Sequence, residues 1–335
     1  MSSIFVIITG ASRGIGQSTA KSFVQYTLDN NNIKKIHLCL LARNENGLKE
    51  TSTCITEIIK VHDNGRDRDC NDDDGDDDKP EVIVYTHMID LAELDTLEGS
   101  IQGIINERIN SCIAEYDHCI LINNAGSLGH LGKVRNVTSP RDIQKNTDLN
   151  IASSCWLSSY FLKWFHEQYD QMEGEGGEST DRSCTIVNIS SLCAISSFPT
   201  MAMYCAGKAY RDMYHQTMAK EEGDKDNHSH SSVKVKILNY APGAIATDMT
   251  EKLGQCDELD SGLSEFFRTK DEKIFVKVED STKKLVKLVM DGTFESGKHI
   301  DYWDDVNDSQ EEEEVQQQDE GRVRKEVDGN GIIRH

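Results

Sequence analysis

Short, largely apolar runs recur along this chain at Ser3–Ile8, Ile36–Leu41, Val82–His87, His118–Ile122, Thr185–Ile189 and Val233–Leu238. Each is too short for a buried helix and so predicts a strand, and the first, apolar almost throughout, predicts a buried one. Between them lie longer stretches that read as helices, over Gln17–Leu28, Asn46–His62, Leu94–Ala114, Arg141–Tyr169 and Tyr204–Lys220. Strands alternating with helices predict an α/β fold, a doubly wound parallel sheet of the Rossmann type, in one domain over residues 1–303. In such sheets ligands bind outside the carboxyl ends of the strands, so the residues following each run are the ones to read for chemistry.

The 335 residues carry a formal net charge of −22. That charge is concentrated: Asp63–Lys79 holds nine acids against three bases, Asp170–Ser183 five against one, and Asp304–His335 eleven against four. Such runs bury no apolar surface, and with the polar stretch Glu222–Ser232 they predict solvated insertions near 63–79, 170–183 and 222–232 and an acidic, disordered tail over 304–335. What remains is close to neutral, so no nucleic-acid partner is expected. No membrane association is expected either, because no stretch approaches the ~20 apolar residues of a span. The apolar run at the N-terminus is too short for a secretory leader, which predicts a cytoplasmic protein. The ten cysteines include no C-x-x-C and no Cys/His cluster at zinc spacing, so no metal is expected.

The first run leads into Thr9-Gly10-Ala11-Ser12-Arg13-Gly14-Ile15-Gly16 and then a helix. Strand, glycine turn, helix is the context of a dinucleotide site: glycines admit the pyrophosphate and the helix end offers free N–H groups. Dinucleotide sites that take NAD place an acid at the end of the second strand, whereas those that take NADP place an arginine. Here that strand ends Ala42-Arg43-Asn44, and Arg13 adds a second cation, which predicts NADPH/NADP+. Further along, Tyr204 and Lys208 lie four residues apart, one helical turn, with Ser191 thirteen positions upstream. A neighbouring cation is expected to lower the phenol from its usual value of ~10, toward the range useful in acid–base catalysis.

Thr9–Gly16, Asn123-Asn124-Ala125-Gly126, Asn150, Ser191, Tyr204, Lys208 and Pro242-Gly243 together resemble the short-chain dehydrogenase/reductase family, over nearly the whole chain to about Asp304. Leu40–Asn44, Asn188–Ala194, Tyr204–Ala209, Arg211-Asp212-Met213, Leu238–Gly243, Thr247-Asp248-Met249 and Ser296–Asp301 extend the resemblance to pterin-reducing members. The resemblance implies reduction of the side-chain carbonyls of a pterin (sepiapterin or 6-pyruvoyl-tetrahydropterin) in tetrahydrobiopterin biosynthesis. A broad carbonyl or diketone reductase is the alternative. It further implies that Ser191, Tyr204, Lys208 and Asn150 are catalytic. Gly10, Ala11, Ser12, Arg13, Gly14, Ile15, Gly16, Arg43, Asn44, Asp90, Leu91, Asn123, Lys208, Ile245, Ala246, Thr247, Asp248, Met249 and Thr250 would hold the cofactor. Ser191, Leu192, Tyr204, Gly243 and Asp301 would face the substrate, with Asp301 anchoring the pterin ring. Family members usually form homodimers through the two long helices, here Arg141–Tyr169 and Tyr204–Lys220.

Overall fold

The computed structural model describes residues 2–65, 79–108, 115–137, 139–174, 182–223, 233–271 and 274–305. The acidic stretches at 66–78, 175–181 and 306–335, the polar stretch 224–232, and the end of the third expected helix at 109–114 lie outside the described residues. The first half of the chain forms β1 (Ser2–Thr9), α1 (Gly14–Asp29), β2 (Ile33–Ala42), α2 (Glu45–Gly65), β3 (Glu81–Met88), α3 (Leu94–Arg108) and β4 (His118–Asn123). The second forms α4 (Pro140–Thr147), a π-helical turn (Asp148–Ala152), α5 (Ser153–Gly174), β5 (Ser183–Ile189), α6 (Ala202–Gly223) and β6 (Lys234–Ala241). The chain then adds β7 (Ala244–Ile245), α7 (Asp248–Gly254), α8 (Ser261–Thr269), β8 (Phe275–Val276), α9 (Val278–Asp291) and β9 (His299–Asp301).

All six expected strands pair in parallel, with β9 as a seventh, in the order β3-β2-β1-β4-β5-β6-β9. β1 lies inside the sheet, between β2 and β4, and its residues Ile4–Ile8 are at most 2% exposed. Strand order reverses beside β1, between β2 and β4, and at that point the helices leave to opposite faces and a crevice opens above the strand ends. β3 is the sheet's edge, and none of its residues is fully buried: Val82–Tyr85 and His87 are half-buried, and Glu81, Thr86 and Met88 are exposed. The expected single helix over Arg141–Tyr169 is interrupted at Asp148–Ala152, where one turn widens to the π form. The described residues up to Tyr302 make one compact unit.

Candidate active site

The turn between β1 and α1 is built on glycine. Gly10 and Gly14 have φ of +66° and +56°, the left-handed region that favours glycine. A Cβ on Gly16 would stand 2.4 Å from the Gly10 carbonyl oxygen, so the chain folds against itself there with no room for a side chain. Asn124 holds the turn from the next strand, its Nδ2 donating to the carbonyls of Thr9 (2.9 Å) and Gly10 (3.2 Å). Thr9 Oγ1 in return accepts the Asn124 and Ala125 N–H groups at 2.9 and 3.0 Å. The N-cap of α1, Arg13, makes no side-chain cap hydrogen bond, and the first turn holds no acid. The positive end of a sixteen-residue helix therefore faces the crevice without a side-chain acceptor. Those residues fit the diphosphate of a dinucleotide.

Across the crevice, Thr247 caps α7 in a reciprocal box with Thr250, and its Cγ2 is the nearest atom to a Cβ on Gly14, at 3.8 Å. Arg13 Nη1 reaches Asp248 Oδ2 at 2.5 Å, tying the glycine turn to the segment Ile245–Thr250. Ile245 itself is buried in the wall. At the far end, Arg43 is exposed and its Nη1 lies 3.5 Å from Asp90 Oδ2. Asn44 Oδ1 accepts the Gly47 N–H at the start of α2, and Leu91 packs into the core. The Asn123 side chain also turns away from the crevice: it is 1% exposed, and its Nδ2 donates to Ser158 Oγ at 2.7 Å and Ser154 O at 3.3 Å. Alternation along β4 sends that residue into the helix layer and leaves Asn124 to meet the glycine turn.

Ser191 follows β5 on a short turn, where its Oγ accepts the Cys193 N–H at 3.1 Å; Leu192 beside it is 49% exposed. Tyr204 and Lys208 share a face of α6. Lys208 is buried, donates to the Ile189 carbonyl at 2.5 Å and lies 5.6 Å from the centroid of the Tyr204 ring. Burial raises the Tyr204 phenol above its ordinary range, and Cys193 adds to the rise; Arg211 and the Ser191 hydrogen bond oppose it. The expected lowering by Lys208 is not what this protein shows. The lysine charge is committed to a backbone carbonyl below the ring, and burial, reinforced by Arg211, depresses Lys208 itself to about 7. Asn150 sits on the π turn, 6% exposed, and pairs both ways with Ser127: Oδ1 accepts its N–H at 2.8 Å and Nδ2 donates to its carbonyl at 2.9 Å.

Sequence reasoning passed over the network beneath these groups. Arg211, 1% exposed, donates to Asn188 Oδ1 (2.7 Å), Ala125 O (3.1 Å) and Asn123 O (2.5 Å). Asp212 accepts from Asn188 Nδ2 (2.9 Å), Ser190 Oγ (2.5 Å) and His299 Nδ1 (2.5 Å). Gly243, at φ +78°, and Asp301, at the end of β9, stand at adjoining ends of neighbouring strands. Leu128, Phe198, Leu263 and Phe267 pack with Tyr204 around a small apolar cluster of Met201, Leu253 and Leu259. Among the described residues no three His, Cys, Asp or Glu side chains converge to hold a metal, and no helix is long and apolar enough to cross a membrane.

An uncapped helix end over a glycine turn, beside a serine, tyrosine and lysine at the ends of parallel strands, defines a nicotinamide-dependent oxidoreductase site. The family model described as short chain dehydrogenase matches residues 105–258, and the chain belongs to that family. Within it, the chain is 31% identical over 300 residues to the sepiapterin reductase of Meriones unguiculatus, covering 89% of this chain and 95% of that one. It is 24% identical over 297 residues to the benzil reductase of Bacillus cereus, covering 88% and 98%. A 4-hydroxyisoleucine dehydrogenase mutant complexed with NADH and succinate shares the fold, with a TM-score of 0.59 at 21% identity over 89% and 96% of the two chains.

Proposed function

We propose that this protein is a cytoplasmic, NADPH-dependent reductase of pterin side-chain carbonyls, acting on sepiapterin or 6-pyruvoyl-tetrahydropterin in tetrahydrobiopterin biosynthesis. The observation that carries the reading is Asp301. It ends a strand outside the six predicted from apolar runs, beside Gly243, in a chain similar along nearly its full length to a sepiapterin reductase. A carboxylate there can accept the two N–H groups on one edge of a pterin in a bidentate contact. Bound NADPH supplies the hydride. Tyr204 donates the proton to the oxygen of the carbonyl being reduced, and Ser191 hydrogen-bonds that oxygen as charge develops on it. Lys208, held by Ile189, supports the nicotinamide ribose, and Asn150 orders the loop at Ser127 behind it. The exposed Arg43, at a strand end that lacks an acid of its own, favours the 2′-phosphate of NADPH.

The outer faces of α5 and α6 support a homodimer. Tyr210 and Met213 are 52% and 63% exposed, along a groove of about 590 Å³ between the two helices.

The test is turnover of recombinant protein with sepiapterin, NADPH and NADH compared in parallel. Tyr204→Phe should abolish it, and absence of turnover with any pterin would overturn the assignment. The likeness to a benzil reductase, with the apolar cluster around Tyr204, favours diketones as the second reading. Asp301→Asn separates the two, because it should cripple pterin reduction and spare an apolar diketone.

A further inference from the structure

We infer that the buried Asp212–His299 pair is a positioning device that sets the height of Asp301 against Tyr204 and Lys208. The inference rests on the reading of Asp301 as the substrate's anchor.

The geometry starts on α6. Tyr204, Lys208 and Asp212 succeed one another at intervals of four, so they form one stripe that rises about 6 Å per step. On β9, His299 and Asp301 share a face, while Ile300 between them is 5% exposed and points the other way. Two strand residues rise about 6.6 Å. α6 follows β5 and begins at the carboxyl ends of the strands, so the step from Asp212 to Lys208 and the step from His299 to Asp301 climb in the same direction. Joining Asp212 to His299 therefore brings Asp301 level with Lys208, one helical turn below Tyr204.

Backbone pairing alone holds β9 weakly. The strand has three residues, lies at the sheet edge and pairs only with β6, through Asn239↔His299, Tyr240↔Ile300 and Ala241↔Asp301. The side-chain tie is much better anchored. Asp212 is 3% exposed, and its carboxylate also holds Asn188 of β5 and Ser190, the neighbour of Ser191. Asn188 Nδ2 divides its two protons between Asp212 Oδ1 and Asn239 Oδ1, at 2.9 and 2.8 Å. Asn239 Nδ2 donates on to Asp212 O and Gly297 O, at 3.3 and 3.4 Å. One carboxylate thus links the catalytic helix, the strand that delivers the catalytic serine and the strand that carries the anchor. Facing a carboxylate oxygen at 2.5 Å, His299 Nδ1 is the protonated ring nitrogen and the donor.

The test is steady-state kinetics of the full chain with sepiapterin varied at saturating NADPH, in wild type, His299→Leu, His299→Asn and Asp301→Asn. An asparagine Nδ2 can donate where the imidazole Nδ1 does, and a leucine cannot. His299→Leu should raise KM for sepiapterin about tenfold or more, with a much smaller change in kcat, as expected when an anchor shifts while the reacting groups stay in place. His299→Asn should stay within about threefold of wild type, because the donor is preserved. If His299→Leu does not fold, His299→Gln replaces it, since its amide lies at the Nε2 position: raised KM for Gln but not Asn supports the device. A wild-type KM in His299→Leu alongside a raised KM in Asp301→Asn would overturn it, as would equal impairment by leucine (or glutamine) and asparagine. An unchanged KM in Asp301→Asn would locate the failure in the anchor reading instead.

Discussion

Acid should destabilise this protein through His215 well before its carboxylates protonate. The residue lies on α6 with 0% exposure. Its Nδ1 faces the Arg211 carbonyl at 2.7 Å and is therefore the protonated nitrogen, while Nε2 accepts from Ser158 Oγ at 2.8 Å. Ser158 is itself supplied with a proton by Asn123 Nδ2 at 2.7 Å. A second proton on the ring would find no acceptor, and burial lowers this imidazole from 6.5 to about 4. Because the folded value lies below the unfolded one, the unfolded chain takes up the proton first as pH falls. The stabilisation is complete above pH 6.5 and is lost progressively toward pH 4. The full gap corresponds to roughly 3 kcal/mol, of which about 2 kcal/mol is gone at pH 5. His215→Met removes the titration but also the ring's hydrogen bonds, at a cost of about 1–3 kcal/mol near pH 7.5. Urea unfolding of both proteins should therefore show a stability difference at pH 7.5 that shrinks by about 2 kcal/mol at pH 5. His118, also lowered by burial to about 4, is common to both and cancels in the difference. Parallel stability curves across that interval would refute a neutral, buried His215.

Gly16→Ala places a Cβ 2.4 Å from a backbone oxygen, and the turn must deform. Calorimetry should show dinucleotide binding weakened by about tenfold or more, since the helix end no longer meets the phosphates. Lys208 titrates near 7 in the fold against 10.5 in the unfolded chain, so the folded form sheds its proton first and stability rises with pH between those values. Lys208 contributes a rise of about 1.4 kcal/mol per pH unit, so Lys208→Met should lose that slope relative to wild type; identical pH dependence in the two proteins would reassign the rise to another group.

The strands and the grouping of Ser191, Tyr204 and Lys208, the trio proposed to act on substrate, were legible because both depend on local pattern. An apolar run such as Phe5–Ile8 states its own burial, and Tyr204 and Lys208 meet through helical spacing alone. β9 was not legible, because with one buried residue, Ile300, it is a strand only through its pairing with β6. The π turn was hidden for a related reason: an added residue in one turn leaves the apolar spacing on either side intact. The direction of the Asn123 side chain was not legible, because a strand's last residue can face either the crevice or the helix layer, and only the register decides.

The electrostatics of the trio lay furthest from the sequence, since they are set by burial and by Arg211, whose guanidinium gathers Asn188, Ala125 and Asn123 from two strand ends. One signal for it was nonetheless present. A helix packed on a sheet normally turns an apolar stripe inward. On α6 the stripe through Tyr204, Lys208, Arg211, Asp212 and His215 is polar or charged throughout, and four of those five residues are at most 7% exposed. Buried polar groups persist only with partners, so that stripe by itself requires a polar lining on the facing strand ends. Asn188, Ser190 and Asn239 provide it, just beneath the carbonyl that holds Lys208.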